Sequence, residues 1–461
     1  MDSPRRLHPW CAPQAVAALG PRRPRRDSRL RIPARSASRR AAADTLYSAH
    51  MSFVSHVECT ICSARHDAKR LLTVCEKCGQ MLAVRYDLAR VKASVTKDML
   101  RQRAAGMYRL RELTPLDDAE EPVTLGEGGT PLLALPRLAA HLGMKKLWAK
   151  DEGQNPTGSF KARGLGMAIT RSRTLGARGF VIPSAGNAGG AAAVYAARCG
   201  LPCVVIVPRG TPPAAIAEAQ IAGAHVFTIE GSIATAGRVV AKVAPQLGWF
   251  DLSTLKEPYR LEGKKTIGLE LAEQLDWRMP DLLLYPTGGG TGLVGIPKGY
   301  EELRAMGWLS GELPRFFAVQ AEGCAPVVKA FVEGAETTTA WDSPTTHAAG
   351  LRVPSPFAGR QMLRLLRDTR GGAVAVSEQA IQEAQRLVAR TEGIWTAPES
   401  AALVAALALL KERGEAVRDA EIMLIFTGSG LKYEPPPLAA PTDLAGTDEQ
   451  VVAQVRRVAG A

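Results

Sequence analysis

The chain has 461 residues, 46% of them hydrophobic, which is ordinary for a globular protein of more than one domain. Its net charge of +13 is misleading as a nucleic-acid signal: residues 1–50 hold eleven arginines against three acids, and the remainder is only modestly basic. Aromatic residues are few and do not interleave with the arginines, so no nucleic-acid partner is expected; no run approaches the roughly 18 apolar residues of a membrane span, so no membrane partner is either.

Residues 1–52 are rich in Arg, Ala, Ser and Pro and lack apolar periodicity. Three readings are open: sequence upstream of a true start at Met51, a disordered tail that cannot bury enough apolar surface, or an organelle transit peptide. Residues 53–90 read as a separate zinc-ribbon-like module, with Cys59-Thr60-Ile61-Cys62 and Cys75-Glu76-Lys77-Cys78 at two turns. Two pairs of thiolates suit a tetrahedral metal site, and four of them leave no open position, so a bound zinc would be structural. The twelve-residue gap between pairs is slightly short of the usual spacing; a vestigial or redox-active site and unrelated cysteines are the alternatives. Short strand-like pieces are expected at Leu71–Val74 and Leu82–Tyr86. Cys11, Cys199, Cys203 and Cys324 are scattered and no secretory signal is evident, which points to a reduced, cytoplasmic setting.

From about Val123 strands and helices alternate. Apolar runs at Leu147–Lys150, Phe180–Pro183, Cys203–Val207, Val226–Ile229, Asp281–Tyr285, Phe316–Val319, Ala373–Val376 and Ile422–Phe426 predict strands. Lys161–Thr174, Ala188–Arg198 and Ala214–Ala222 predict helices, and Ala401–Leu410 a buried core helix. This alternation argues for an α/β fold with mostly parallel sheets covered on both faces. Residues 434–461 open with three prolines and read as a peripheral C-terminal tail.

Four turns between strands and helices carry chemistry. In Asn155-Pro156-Thr157-Gly158-Ser159-Phe160-Lys161-Ala162-Arg163-Gly164, Lys161 opens a helix. Such a lysine is ordinarily solvated, but here a tight turn and the Phe160 wall offer the desolvation that Schiff-base chemistry needs. Ser184-Ala185-Gly186-Asn187 lets backbone amides approach an anion such as a carboxylate, although an ordinary βα turn looks the same. Gly288-Gly289-Gly290-Thr291 allows a backbone nest for a phosphate and lacks the lysine of a nucleotide-binding loop. Thr427-Gly428-Ser429-Gly430-Leu431-Lys432 follows the last strand.

Together with Gly126-Glu127-Gly128-Gly129-Thr130-Pro131-Leu132, these segments resemble the threonine synthases of the fold type II, tryptophan-synthase-β-like, pyridoxal-phosphate enzymes, from about Leu125 to Tyr433. The resemblance implies two lobes: a large one of 123–161 and 251–433 that binds the cofactor, and a small mobile one of 162–250. It implies pyridoxal 5'-phosphate as a Schiff base on the catalytic Lys161, with Asn187 at the ring hydroxyl oxygen, Gly288, Gly289, Gly290 and Thr291 on the phosphate, and Thr427 at the pyridine nitrogen. Ser184, Ala185 and Gly186 would hold the carboxylate of an amino-acid substrate, and Arg260 the phosphate of O-phosphohomoserine, with Lys264 and Lys265 as weaker candidates. The implied reaction gives L-threonine and phosphate by γ-elimination and β-addition, and a homodimer is a family expectation. The chain departs from many members at Ala162, where they have Asp, and at Ala185 and Ala188. Residues Ser253–Glu257 do not clearly reproduce the family's phosphate contacts. Two alternatives stay open: a dehydratase-like or β-replacement enzyme on the same fold, and a non-catalytic metabolite-binding regulator.

Overall fold

The computed structural model describes residues 52–459, apart from 118 and 416. The expectations for the Arg-rich stretch up to Met51 therefore lie outside the described residues. The cysteine module is a three-stranded antiparallel sheet of β1 (Val54–Cys59), β2 (Arg65–His66) and β3 (Leu82–Tyr86), in the order β2-β1-β3. Leu71–Val74, expected as a strand, is not one. It leads irregularly into the Cys75 turn, where Cys75 N–H donates to the Gln80 carbonyl at 2.9 Å. Both sides of β1 are already taken by β2 and β3.

The chain then forms β4 (Leu132–Ala134) and β5 (Lys146–Asp151) before a run of parallel strands: β6 (Phe180–Pro183), β7 (Cys203–Pro208), β8 (His225–Ile229) and β9 (Phe250–Asp251). These last four make one sheet in the order β8-β7-β6-β9. β10 (Leu282–Pro286), β11 (Arg315–Ala321), β12 (Gly372–Val376) and β13 (Glu421–Phe426) join β4 and β5 in the order β12-β11-β10-β13-β5-β4. All pairings there are parallel except that of edge strand β4 with β5. Every residue of β7, β10 and β13 is buried, as expected of strands with helices on both faces. The helix Pro398–Glu412 packs beside the larger sheet with its apolar residues almost all buried.

This topology positions chemistry. In open parallel sheets, ligand sites form beyond the carboxyl ends of the strands, where the chain turns into helices. The four segments noted in the sequence follow β5, β6, β10 and β13 in turn.

Candidate active site

The four turns bound a cleft of about 1150 Å³ whose wall includes Lys161, Ser184, Ala185, Gly186, Asn187, Gly288, Gly289, Gly290, Thr291 and Thr427. Lys161 is the first residue of the helix Lys161–Thr174. Its amine lies 4.6 Å from the Phe160 ring centroid. The turn before it is tied to the loop after β13: Phe160 N–H donates to the Thr427 carbonyl at 2.9 Å, and Ser429 N–H to the Gly158 carbonyl at 2.9 Å. Burial, assisted by the nearby Arg260 cation and opposed by Glu399, pulls the Lys161 amine down to about 7. A substantial fraction is therefore neutral and nucleophilic near physiological pH.

Two residues on, the wholly buried Arg163 anchors this helix. Its guanidinium donates to both Glu152 oxygens at 2.6 and 2.7 Å and to both Glu270 oxygens at the same two distances. Lys150 adds a 2.9 Å contact to Glu270. Burial pushes the Glu270 carboxyl up, but Arg163 and Lys150 outweigh it and hold it well below the usual carboxylate range. Glu152 also accepts from Asn155 Nδ2 at 2.9 Å, which links the network to the turn leading to Lys161.

Across the cleft, the Ser184 hydroxyl accepts from Gly189 N–H at 2.8 Å and Gly186 N–H at 3.3 Å, setting the turn into the helix Asn187–Arg198. Asn187 Nδ2 donates to the Tyr433 hydroxyl at 2.9 Å. Burial, reinforced by Glu399, raises the Tyr433 phenol well above its ordinary range. Glu399 lies at the start of the helix Pro398–Glu412 and accepts from Gly350 N–H at 2.6 Å. Lys432 Nζ reaches Glu218 and the Thr157 carbonyl, each at 2.8 Å. Tyr433, Glu399 and Pro435–Pro437 all line the cleft. The segment read as a peripheral tail thus begins as part of the cleft wall, where Arg386 holds the Pro437 carbonyl at 2.9 Å.

Arg260, Lys264 and Lys265 do not line this cleft. Arg260 is buried, with one guanidinium nitrogen donating to the Leu252 carbonyl at 2.6 Å and, among the described residues, no hydrogen-bond partner for Nε. Lys265 pairs with Glu262 at 2.6 Å and Glu302 at 2.8 Å. The cations in the wall include Arg238, Lys256 and Arg352.

In the cysteine module, Cys59, Cys62, Cys75 and Cys78 bring their sulfurs within 4.8 Å of one another. Three of the separations are 3.4, 3.6 and 3.4 Å. A tetrahedral zinc with bonds of roughly 2.3 Å needs sulfurs about 3.8 Å apart, so the four thiols fit a metal of that size.

The sequence model of the family described as "Pyridoxal-phosphate dependent enzyme" matches residues 123–428. The chain belongs to that family. Among relatives of this pyridoxal-phosphate enzyme, the threonine synthase of Methanosarcina acetivorans is 38% identical over 82% of this chain and 92% of its own. The threonine synthase of Methanocaldococcus jannaschii is 37% identical over 81% and 92%. Among solved structures, maize serine racemase matches with a TM-score of 0.57 at 22% identity, over 72% of this chain and 93% of that one, a likeness of fold.

The residues present fit the family's cofactor. A Cβ at Gly288 would run into the Gly350 carbonyl oxygen, one at Gly290 into Met362 Sδ, and one at Gly289 would come 2.9 Å from Thr254. Gly290 also needs its positive φ of 76°. This close-packed turn heads the fifteen-residue helix Thr291–Ala305, whose free N–H groups and dipole favour a phosphate. Lys161, with its lowered amine, stands in the same cleft wall.

Proposed function

We propose that this enzyme is a threonine synthase, converting O-phosphohomoserine and water to L-threonine and phosphate. The single observation that carries the reading is Lys161 standing in the wall of one cleft with a glycine-lined helix N-terminus. Identity of 38% to a threonine synthase supports the choice of reaction within the family.

When bound, pyridoxal phosphate supplies the electron sink that lets bonds to carbons near the substrate's amino group break. Lys161 would hold it, with Gly288–Thr291 on its phosphate, Asn187 at its ring oxygen and the Thr427 hydroxyl at its ring nitrogen. The Thr427 backbone is well fixed for that role: its N–H donates to Ser400 Oγ at 2.9 Å and its carbonyl accepts from Phe160. A neutral hydroxyl there would leave the ring nitrogen less fully protonated than a carboxylate would. The turn Ser184–Gly186 would orient the substrate carboxylate through its amides. In this reading the Lys161 amine takes a proton from Cα and then from Cβ, phosphate departs from Cγ, and water adds at Cβ. For the substrate phosphate, Lys256 and Arg352 in the cleft wall join Arg260 as candidates.

The lobe of residues 162–250 would close over the substrate and keep water out until the addition step. Contacts from the end of the larger lobe to Asn187 and Glu218 support such a closed state. The reading includes a cytoplasmic homodimer; among the described residues no helix is long and apolar enough to cross a membrane. The burial of Arg260 is the observation favouring the second reading, a dehydratase-like lyase that needs no second phosphate site.

Incubation with O-phosphohomoserine, O-phosphoserine, threonine and serine in parallel tests the proposal. Threonine and phosphate formed together from the first, and lost in Lys161→Ala, are expected. A 2-oxo acid from threonine or serine would move the enzyme to the dehydratases.

A further inference from the structure

We propose that Lys264 is a positioning residue for Lys161, and that it works as a neutral amine: it holds the peptide that carries Lys161 without adding a second charge beside it. The inference rests on the reading of Lys161 as the reactive amine, and its first assay does not require the cofactor.

Lys264 belongs to the helix Tyr259–Gln274 and is wholly buried. Its carbon chain occupies space left by glycines on two neighbouring helices. A Cβ at Gly295 would come 2.9 Å from Lys264 Cβ, and one at Gly164 would come 3.1 Å from Cε and Nζ. The amine ends on the Phe160 carbonyl, which belongs to the peptide bond entering Lys161. Because Phe160 N–H is held by the Thr427 carbonyl, the residue before Lys161 is fixed at both its backbone polar groups. Both amines also lie against one aromatic ring, Lys264 Nζ at 4.2 Å and Lys161 Nζ at 4.6 Å from the Phe160 centroid.

The charges around this pair disfavour a second ammonium. Lys264 faces Lys161 and Arg163 on the helix Lys161–Thr174, Arg260 on its own helix, and Glu152 after β5. Glu152 is already engaged by Arg163, Thr130 and Asn155. Lys161 faces Arg260 and the buried Glu399. Cations therefore outnumber uncommitted carboxylates around the buried Lys264 amine, where like charges repel strongly. Burial first, then Lys161 and Arg260, drive the Lys264 amine well below the lysine range. A neutral amine still has N–H bonds to donate, so the hold on Phe160 survives the loss of charge. Had Lys264 been charged, its field would have to be offset at the reacting amine.

The test compares Lys264→Met, Lys264→Gln and Lys264→Arg with the wild type. The rate at which a small acylating reagent modifies Lys161 in the cofactor-free full chain is followed by peptide mass spectrometry against pH. The rate of pyridoxal-phosphate uptake is followed by absorbance in parallel. Lys264→Arg introduces a permanent charge and should move the acid limb of the Lys161 profile down by about one pH unit. Lys264→Met should leave that limb in place but slow cofactor uptake at every pH, and Lys264→Gln, a neutral donor, should recover the uptake rate. An unmoved limb in Lys264→Arg would mean that Lys264 is already charged, and wild-type uptake in Lys264→Met would remove the positioning role; either overturns the proposal. A wild type that takes up no cofactor would instead sink the threonine synthase reading, while the acylation profiles still decide on Lys264.

Discussion

Replacing Arg163 with methionine removes four charge-assisted hydrogen bonds of 2.6–2.7 Å from the interior. The two carboxylates are then left unequally placed. Glu270 keeps Lys150 at 2.9 Å and Gly129 N–H at 2.9 Å, whereas Glu152 keeps only neutral donors, Thr130 Oγ1 at 2.6 Å and Asn155 Nδ2 at 2.9 Å. Losing its directly bonded cation should cost a buried carboxylate about 3–5 kcal/mol, somewhat less here because Lys150 stays nearby, and that is enough to lower a urea midpoint visibly. The deficit should depend on pH with a definite sign. In the wild type, burial raises Glu152 but Arg163 and Lys150 prevail and hold its carboxyl below its ordinary range, so its contribution is present at neutral pH and lost in acid. In the variant burial acts unopposed by Arg163 and raises the carboxyl. A raised group favours the folded state at low pH and loses that benefit as pH climbs through its folded pKa. The gap between variant and wild type should therefore be widest at neutral pH and narrow toward acid. Urea unfolding of the cofactor-free full chain, followed by circular dichroism at several pH values, reads this directly. A midpoint within error of wild type at neutral pH, or a deficit that does not change with pH, would refute the ion-pair account.

Gly288→Ala places a methyl group against the Gly350 carbonyl, so cofactor affinity should fall about tenfold or more, equivalent to roughly 1.4 kcal/mol, by titration of the cofactor-free enzyme. Unchanged affinity would mean that the turn does not hold the phosphate. In the cysteine module, elemental analysis should find about one zinc per chain, and Cys62→Ser with Cys75→Ser should lose it and lower the thermal midpoint. A metal-free wild type of equal stability would show that the thiols do not serve a metal.

Much of the fold was legible because it is written locally. The eight strands expected between Leu147 and Phe426 lie within one or two residues of the observed ones, since fully buried parallel strands give continuous apolar runs with turn residues at each end. Short strands such as β4 and β9 escaped notice because three- and two-residue pieces carry no period. The turns at Lys161, Asn187, Gly288 and Thr427 were readable from their small residues, and the structure brings all four into one cleft. Tyr433 and Glu399 were not, because their roles depend on partners far along the chain: Tyr433 meets Asn187 across 246 residues. The only local hint was an acid at the head of a helix whose middle is a long apolar run. Arg260 adds a further case. The resemblance suggested it as an anion ligand, and its contact with the Leu252 carbonyl, with Asp251 and Glu257 nearby, is something no spacing rule reveals.

The contact between the cysteine module and the rest of the enzyme has an evolutionary corollary. Tyr86 of β3 donates to Glu262 at 2.7 Å and presents its ring 3.9 Å from Lys265 Nζ and 5.0 Å from Lys298 Nζ. Glu262, Glu302, Lys265 and Lys298 thus form an interior quartet of balanced charge that the module roofs over. A lineage that discarded the module would bring water to a cluster built for a dry setting. Homologues without those N-terminal residues should consequently carry altered side chains at the positions of 262, 265, 298 and 302, replaced together rather than singly.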